Sequence, residues 1–456
     1  MALSAALADE LRRIFAADAL STDPAECLTY GYDNSRREAQ PDAVAFARTH
    51  EEIAALVGAC RAHHTPLVAR GRGTNTTGAT VPIAGGVVLS FERMNRVIAI
   101  DPANRLAVVE PGVLNADLQI ALQPHGLFWP PDPTSAPFCT IGGNLACNAG
   151  GPRAVKYGAT RDNVLALRAV AGSGEEFRCG KPTTKGATGY DLTRLLIGSE
   201  GTLAIITEAT LKLTPLPSAR RTLRATYADV AAAAAAVARI MAQPVTPCAL
   251  EFLDGESLRL ARAHGGDAVP VAGAMLIIEA DGEEATLDAS VAAISRAAHG
   301  AGLLELASAT SESEVADLWA ARKALSPALR TISPRKINED VVVPVSRIPE
   351  LVAAASSLSL RYALPIVCFG HAGNGNLHVN LLPRDDAELG RAEQCLSEIF
   401  DVVIALDGTL SGEHGIGLVK RDFMPRALDS NALALMRRIK ADFDPDGILN
   451  PGKLLP

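Results

Sequence analysis

The stretch PIVCFGHAGNGNLHVNLL, residues 365–382, decides how the second half of the chain is read. Two apolar runs rich in Val, Ile and Leu flank a Gly/Asn turn, the pattern of two strands joined as a hairpin. His371 and His378 lie seven apart, an odd number, so on one unbroken strand they would face opposite sides. A turn over 372–376 undoes that parity and lets both imidazoles converge. His378 and Asn380, two apart, share a face of the second strand. Further on, Glu413 and His414 stand between glycines in SGEHGIG, 411–417, where the backbone can come close to a ligand. Two histidines, a carboxylate and a third histidine supply the donor types of a metal site with an open position. Read one at a time, each histidine also fits a hydrogen-bonded core or surface residue.

Outside this stretch, a chain of 456 residues is too long for one ordinary core and divides into two or three domains. A net charge of −8 and only 4% aromatic residues exclude a nucleic-acid-binding surface built on basic patches or base stacking. The eight cysteines are scattered, with no C-x-x-C pair, which fits free thiols in a reducing compartment and argues against a cysteine-rich zinc site. The N-terminus MALSAALADELRRIF places Leu3, Leu7, Leu11 and Ile14 on one helical face and carries acidic residues, so it reads as a folded helix and not a signal peptide. The most apolar run, VAAAAAAVARIM at 230–241, contains Arg239 and is too short to span a bilayer; its alanines predict a helix.

From about 42 to 217 the pattern is rich in strands and turns. EEIAALVGACRAHH, 51–64, predicts a helix, TPLVAR a strand, and RVIAI with RLAVVE a hairpin turning on 101–104. NADLQIALQPHG predicts a short helix with Asn115 as its N-cap and Gly126 at its end. After 217, strands such as TLRATYA, CALEFLD, AMLIIEA and VVVPVS alternate with helices, which predicts helices packed on one face of an antiparallel sheet. A C-terminal helix and a Pro/Gly-rich tail follow.

Three glycine clusters mark the first half. RGRGTNTTG, 70–78, can turn successive N–H groups toward a phosphate, or can be an ordinary surface turn. Residues 130–164 form a second, long stretch of short glycine-containing turns, read as a functional loop. IGSEGTLAIITEATLKL, 197–213, is the third. Together they point to a large phosphate-bearing ligand. No complete G-x-G-x-x-G occurs, and Pro182 in GKPTTKG rejects a P-loop, so neither a Rossmann NAD site nor a Walker A site is supported.

These clusters resemble the FAD-binding domain of the vanillyl-alcohol oxidase (PCMH-type) superfamily. The pair GHAGNGNLH and SGEHGIG, with IGSEGTL and the terminal NPGK, resembles its FAD-linked D-2-hydroxyacid dehydrogenase branch, which acts on D-lactate, D-2-hydroxyglutarate and glycolate. The resemblance implies an α+β chain: a helical segment over 1–36, a two-subdomain FAD-binding domain over 37–217, and an α+β cap domain with an antiparallel sheet over 218–407. A C-terminal segment, 408–456, would complete the metal site and return to the flavin. It implies that Gly71, Gly73, Thr74, Asn75, Thr76 and Gly78 line the FAD diphosphate. Pro131, Asp132, Thr140, Gly142, Gly143, Asn144, Asn148 and Gly150 would follow the ribityl chain and ring. Glu200, Gly201 and Ile206 would lie near the adenosine half, and Asn450 would return to the flavin.

Thr74 stands where some relatives attach FAD through a His, so a dissociable flavin is expected. His371, His378 and Glu413 match the ligands of a zinc or manganese ion, and His414 matches the base. Arg322 matches the arginine that holds the substrate carboxylate, Lys336 a second basic contact, Ser326 a position where some relatives have Thr, and Asn380 completes the catalytic set. The implied reaction is oxidation of a D-2-hydroxy acid to the 2-oxo acid by hydride transfer to flavin N5, with a quinone, electron-transfer flavoprotein or cytochrome as acceptor. A cytoplasmic location with at most peripheral membrane contact, and a homodimer, are compatible with it. A glycolate oxidase-type subunit, an electron-relay flavoprotein and a sugar-acid or aldonolactone oxidase are the alternatives.

Overall fold

The computed structural model describes residues 3–265, 269–309 and 311–456. The chain forms two compact units, one of residues 1–150, 158–216 and 413–456, the other of 151–157 and 217–412. The boundary at 216/217 lies where the composition changes. The N-terminal helix belongs to the first unit, the second begins with the insert 151–157, and the return to the first unit comes at Glu413.

The first unit holds two main sheets. In one, Leu67–Arg70 and Ala43–Phe46 both pair in parallel with Val87–Ser90. Helix His50–Ala62, capped by Thr49, and helix Ala5–Ile14, which buries Leu7 and Leu11, pack into its core. The other sheet is antiparallel and five-stranded, with Ala204–Lys212 at its centre, where burial alternates residue by residue. The C-terminal tail bonds to the start of Leu67–Arg70: the Leu67 N–H donates to Ile448 O and the Asn450 N–H to Leu67 O, at 2.8 and 2.9 Å. That pairing delivers Asn450 to the first glycine loop.

Two local readings change here. Asn115 is the first residue of helix Asn115–Leu122, not its cap; Leu114 precedes it without a side-chain cap. Its buried amide instead donates to Pro131 O and Asn144 Oδ1. The stretch 130–164 is not one long loop but contains helices Ile141–Cys147 and Ala154–Tyr157 and a 3-10 turn, Thr160–Asn163.

The second unit is built on a seven-stranded antiparallel sheet. Its order is Leu303–Ser308, Ala219–Tyr227, Ala274–Gly282, Ala249–Asp254, Ile366–His371, Asn376–Leu381, Ile337–Val342. The last strand ends before Pro344, so it lies earlier than VVVPVS suggested; proline cannot donate to a ladder. All six residues of Ala249–Asp254 are buried, because helices cover both faces and not one. Val230–Ala242 and Glu284–Ala298 pack on one side. Gly255–Gly265 and Glu312–Ile332 pack on the other, where Leu325 and Leu329 join Leu253, Ile277, Val367 and Phe369 in one cluster. Among the described residues, no helix is long and apolar enough to cross a membrane.

Candidate active site

The hairpin register settles the parity of the histidines. Ile366–His371 and Asn376–Leu381 pair so that Phe369 lies opposite His378 and His371 opposite Asn376. His378 is therefore a diagonal neighbour of His371 on the same sheet face. Their rings meet edge-on with centroids 5.4 Å apart, and each offers a ring nitrogen within 4.8 Å of the other. Both are buried. Asn380 shares this face, fully buried, with its amide donating to the Val367 and His378 carbonyls and its Oδ1 without a partner.

The central strand adds a residue that sequence reasoning missed. Glu251 lies directly across from His371, with no exposed surface. Its Oε1 meets His371 Nδ1 at 2.5 Å, and its Oε2 accepts from Arg322 Nε at 2.8 Å. Burial alone would raise this carboxyl, but His371 and Arg322 outweigh it and hold it down at about 2. A carboxylate at Nδ1 makes that nitrogen the donor and leaves Nε2 as the lone-pair atom. Arg322 is delivered by helix Glu312–Ile332, three residues before the buried Leu325. Its guanidinium also lies over the Phe369 ring, 4.6 Å from the centroid. Ser326, one turn later, accepts from Lys336 Nζ at 2.9 Å, so these two predicted residues meet in the same unit.

Asp340, the second missed carboxylate, faces His378 across the ladder. It is buried and accepts from Ser411 Oγ at 3.2 Å and the Gly412 N–H at 2.8 Å, fixing the start of the SGEHGIG segment. Glu413, half-buried, is the next residue along the chain. The sequence signal for both missed groups was an acidic residue inside an apolar strand run, CALEFLD and NEDVVV, where a charge needs a specific partner.

In the first unit, the predicted cofactor residues gather, but many of their side chains are spent on holding the loops together. Asn75 Oδ1 accepts from the Thr77 N–H and Oγ1, and its amide donates to His414 O at 2.8 Å and Cys147 Sγ at 3.3 Å. One side chain thus joins the first glycine loop, the end of helix Ile141–Cys147 and the His414 backbone. Gly71 and Thr140 bring the first two clusters into contact: a Cβ at 71 would stand 2.4 Å from Thr140 Oγ1, so only glycine fits. Asn144 bonds Asn115 and Cys139, and Asn148 Oδ1 accepts from the Arg161 N–H. Pro131 is buried, as is Gly150, whereas Asp132, Gly142 and Gly143 are half-buried.

Glu200 accepts from the Ile416 and Gly417 N–H groups at 2.6 and 2.8 Å, which ties the third cluster to SGEHGIG. Burial pushes its carboxyl up to about 7 against these bonds. The Asn450 amide donates to Ala79 O and Glu200 O and accepts from Lys453 Nζ. Ile206 lies on the strand Ala204–Lys212 and packs on the hydrophobic core. What Gly73, Gly78, Gly142, Gly143 and Gly201 present to a ligand is backbone.

The chain matches two known protein families. Residues 216–454 match the family described as FAD linked oxidases, C-terminal domain, and residues 41–180 match the FAD binding domain family. The chain is 41% identical to a glycolate oxidase subunit (GlcD) of Bacillus subtilis, over 94% of this chain and 92% of that one. It is 35% identical to a D-lactate dehydrogenase of Anaerostipes hadrus, over 97% and 94%. To a D-2-hydroxyglutarate dehydrogenase of Stutzerimonas stutzeri it is 32% identical over 98% of each. In fold it is similar to p-cresol methylhydroxylase, with a TM-score of 0.81 at 17% identity over 98% of this chain and 96% of that one. A PCMH-type fold is thereby shared.

Proposed function

The chain belongs to the FAD-linked oxidases, and from that membership we propose that it oxidises a small D-2-hydroxy acid to the 2-oxo acid, using non-covalently bound FAD and a divalent ion, zinc or manganese. One observation carries the reading. A single face of the seven-stranded sheet holds the His371–His378 pair beside Arg322, whose Nε is engaged by Glu251 and whose plane rests on Phe369. A buried guanidinium next to two converging imidazoles suits a ligand with a carboxylate and an adjacent oxygen donor, which describes a 2-hydroxy acid.

The residues fit both groups. Thr76 Oγ1, in the first glycine loop, is buried without a hydrogen-bond partner, as suits a phosphate-binding loop. Thr74 offers no imidazole for covalent attachment. His371, presenting Nε2, His378 and the Glu413 carboxylate are the donor types that zinc and manganese both accept. When bound, FAD supplies a hydride acceptor and the ion a Lewis acid.

In this reading Arg322 binds the substrate carboxylate, with Lys336 and Ser326 completing the polar wall. His414 takes the hydroxyl proton. Asn75 holds the His414 carbonyl, so the base is fixed to the loop assigned to the FAD diphosphate. His414→Ala should slow flavin reduction by roughly a hundredfold or more while FAD stays bound. Unchanged flavin reduction in that variant would remove His414 from the reaction. The relatives named as glycolate oxidase subunits, at 41% and 36% identity, favour glycolate as a second substrate to set beside D-lactate.

A further inference from the structure

The feature that neither the motifs nor the proposed reaction assigns is Glu251. It stands in the central strand of the second unit's sheet and has no exposed surface. Structural need alone would be met by its pairing with Arg322, since a buried carboxylate requires one cation and hydrogen bonds for its lone pairs. Here the two oxygens are divided. Oε1 faces His371 Nδ1 and Oε2 faces Arg322 Nε, at 2.5 and 2.8 Å. Strand register puts Glu251 directly opposite His371, while Arg322 comes down from a helix on the same face.

We propose that Glu251 is a positioning residue shared by the two halves of the site: one rigid carboxylate orients a metal ligand and the substrate anchor together. The inference rests on the reading of His371 as a ligand and Arg322 as the carboxylate anchor. On the histidine side, the carboxylate fixes the tautomer and the ring plane and makes Nε2 a better donor. On the arginine side, occupying Nε turns the two Nη groups outward as a fork, the arrangement that receives a carboxylate in bidentate fashion. Phe369, whose ring lies 4.6 Å from the guanidinium carbon, blocks rotation out of that plane. Because both partners bond one planar group, the spacing between the His371 ring and the Arg322 guanidinium is set by a single side chain.

Glu251→Gln and Glu251→Asp, prepared as FAD-loaded full-length protein, test this. Zinc affinity is measured by competition with a chromophoric chelator, KM and kcat with D-lactate, and folding by FAD occupancy and the thermal midpoint. Glu251→Gln should weaken zinc binding by about 10- to 100-fold. It should also raise KM for D-lactate by about tenfold, the worth of one charge-assisted bond, with FAD occupancy retained. A folded Gln variant that binds zinc and D-lactate as the parent does overturns the proposal, as does a loss confined to the thermal midpoint. If the Gln variant does not fold, Glu251→Asp decides: weakened zinc binding supports the role, and parental affinity overturns it. The parent protein, titrated with zinc and manganese, is the control. If it takes up neither zinc nor manganese, the metal reading fails, and Glu251 is then judged by KM alone, with an unchanged KM overturning it.

Discussion

Replacing Arg322 by Lys tests the assignment of the substrate anchor. In the parent, Nε is held by Glu251 at 2.8 Å and the guanidinium carbon sits 4.6 Å from the centre of the Phe369 ring, and a guanidinium held in this way can offer its other two nitrogens to a carboxylate. A lysine ammonium is a single point donor and cannot pair with Glu251 and grip a carboxylate in bidentate fashion at once. At least one charge-assisted hydrogen bond to the substrate is lost, worth about 1.5–3 kcal/mol. That corresponds to a roughly 10- to 150-fold rise in KM or in the dissociation constant. The charge on Glu251 stays compensated, so the variant should fold and keep its flavin. The assay is anaerobic titration with D-lactate or glycolate, followed through bleaching of the flavin absorbance, with FAD content measured in parallel. A variant with full FAD and a KM within about twofold of the parent would refute Arg322 as the anchor.

Two further substitutions probe the scaffold. Gly415 has φ +86, and a Cβ there would stand 2.5 Å from Glu200 Oε1. Gly415→Ala should therefore cost about 1–3 kcal/mol, seen as a drop of several degrees in the thermal midpoint, and an unchanged midpoint would contradict the tight Glu200 contact. Asp254 accepts from the Ser257 and Cys368 N–H groups, and burial, against these bonds, pushes its carboxyl from 3.8 up to about 6. Over that window the folded state keeps a proton that the unfolded state has lost, so stability falls as pH rises, by roughly 3 kcal/mol. In Asp254→Asn that component should vanish from denaturation curves recorded between pH 4 and 6, and an identical pH dependence would rule it out.

How much of this was legible in the sequence depended on the range of the contacts. The hairpin over 365–382 was readable because turn chemistry and period-two apolar runs are local signals. The convergence of His371 and His378 needed only the turn, which the register of Phe369 against His378 bears out. The three loops were readable as glycine clusters, but not that Asn75, Asn144, Asn148 and Glu200 spend their side chains bracing them.

Glu251 and Asp340 escaped notice because their partners lie far away in sequence, 120 residues to His371 and 72 to Gly412. A lone acid in an apolar run announces that a partner exists without saying which. Asn115 misled for a related reason: an Asn before a helical pattern looks like a cap, but burial drew its amide to Pro131 and Asn144. The second helix layer over the sheet was hidden as well, since a strand buried on both faces shows no alternation.

The proposed reaction is metal-assisted oxidation of a 2-hydroxy acid with FAD as the acceptor. Its most direct test is anaerobic mixing of FAD-loaded protein with D-lactate, glycolate and D-2-hydroxyglutarate, before and after exhaustive chelation. At least one of these acids should bleach the flavin, chelation should suppress the bleaching without releasing FAD, and zinc or manganese should restore it. Bleaching that survives chelation, or a flavin that none of the three acids reduces, would contradict it.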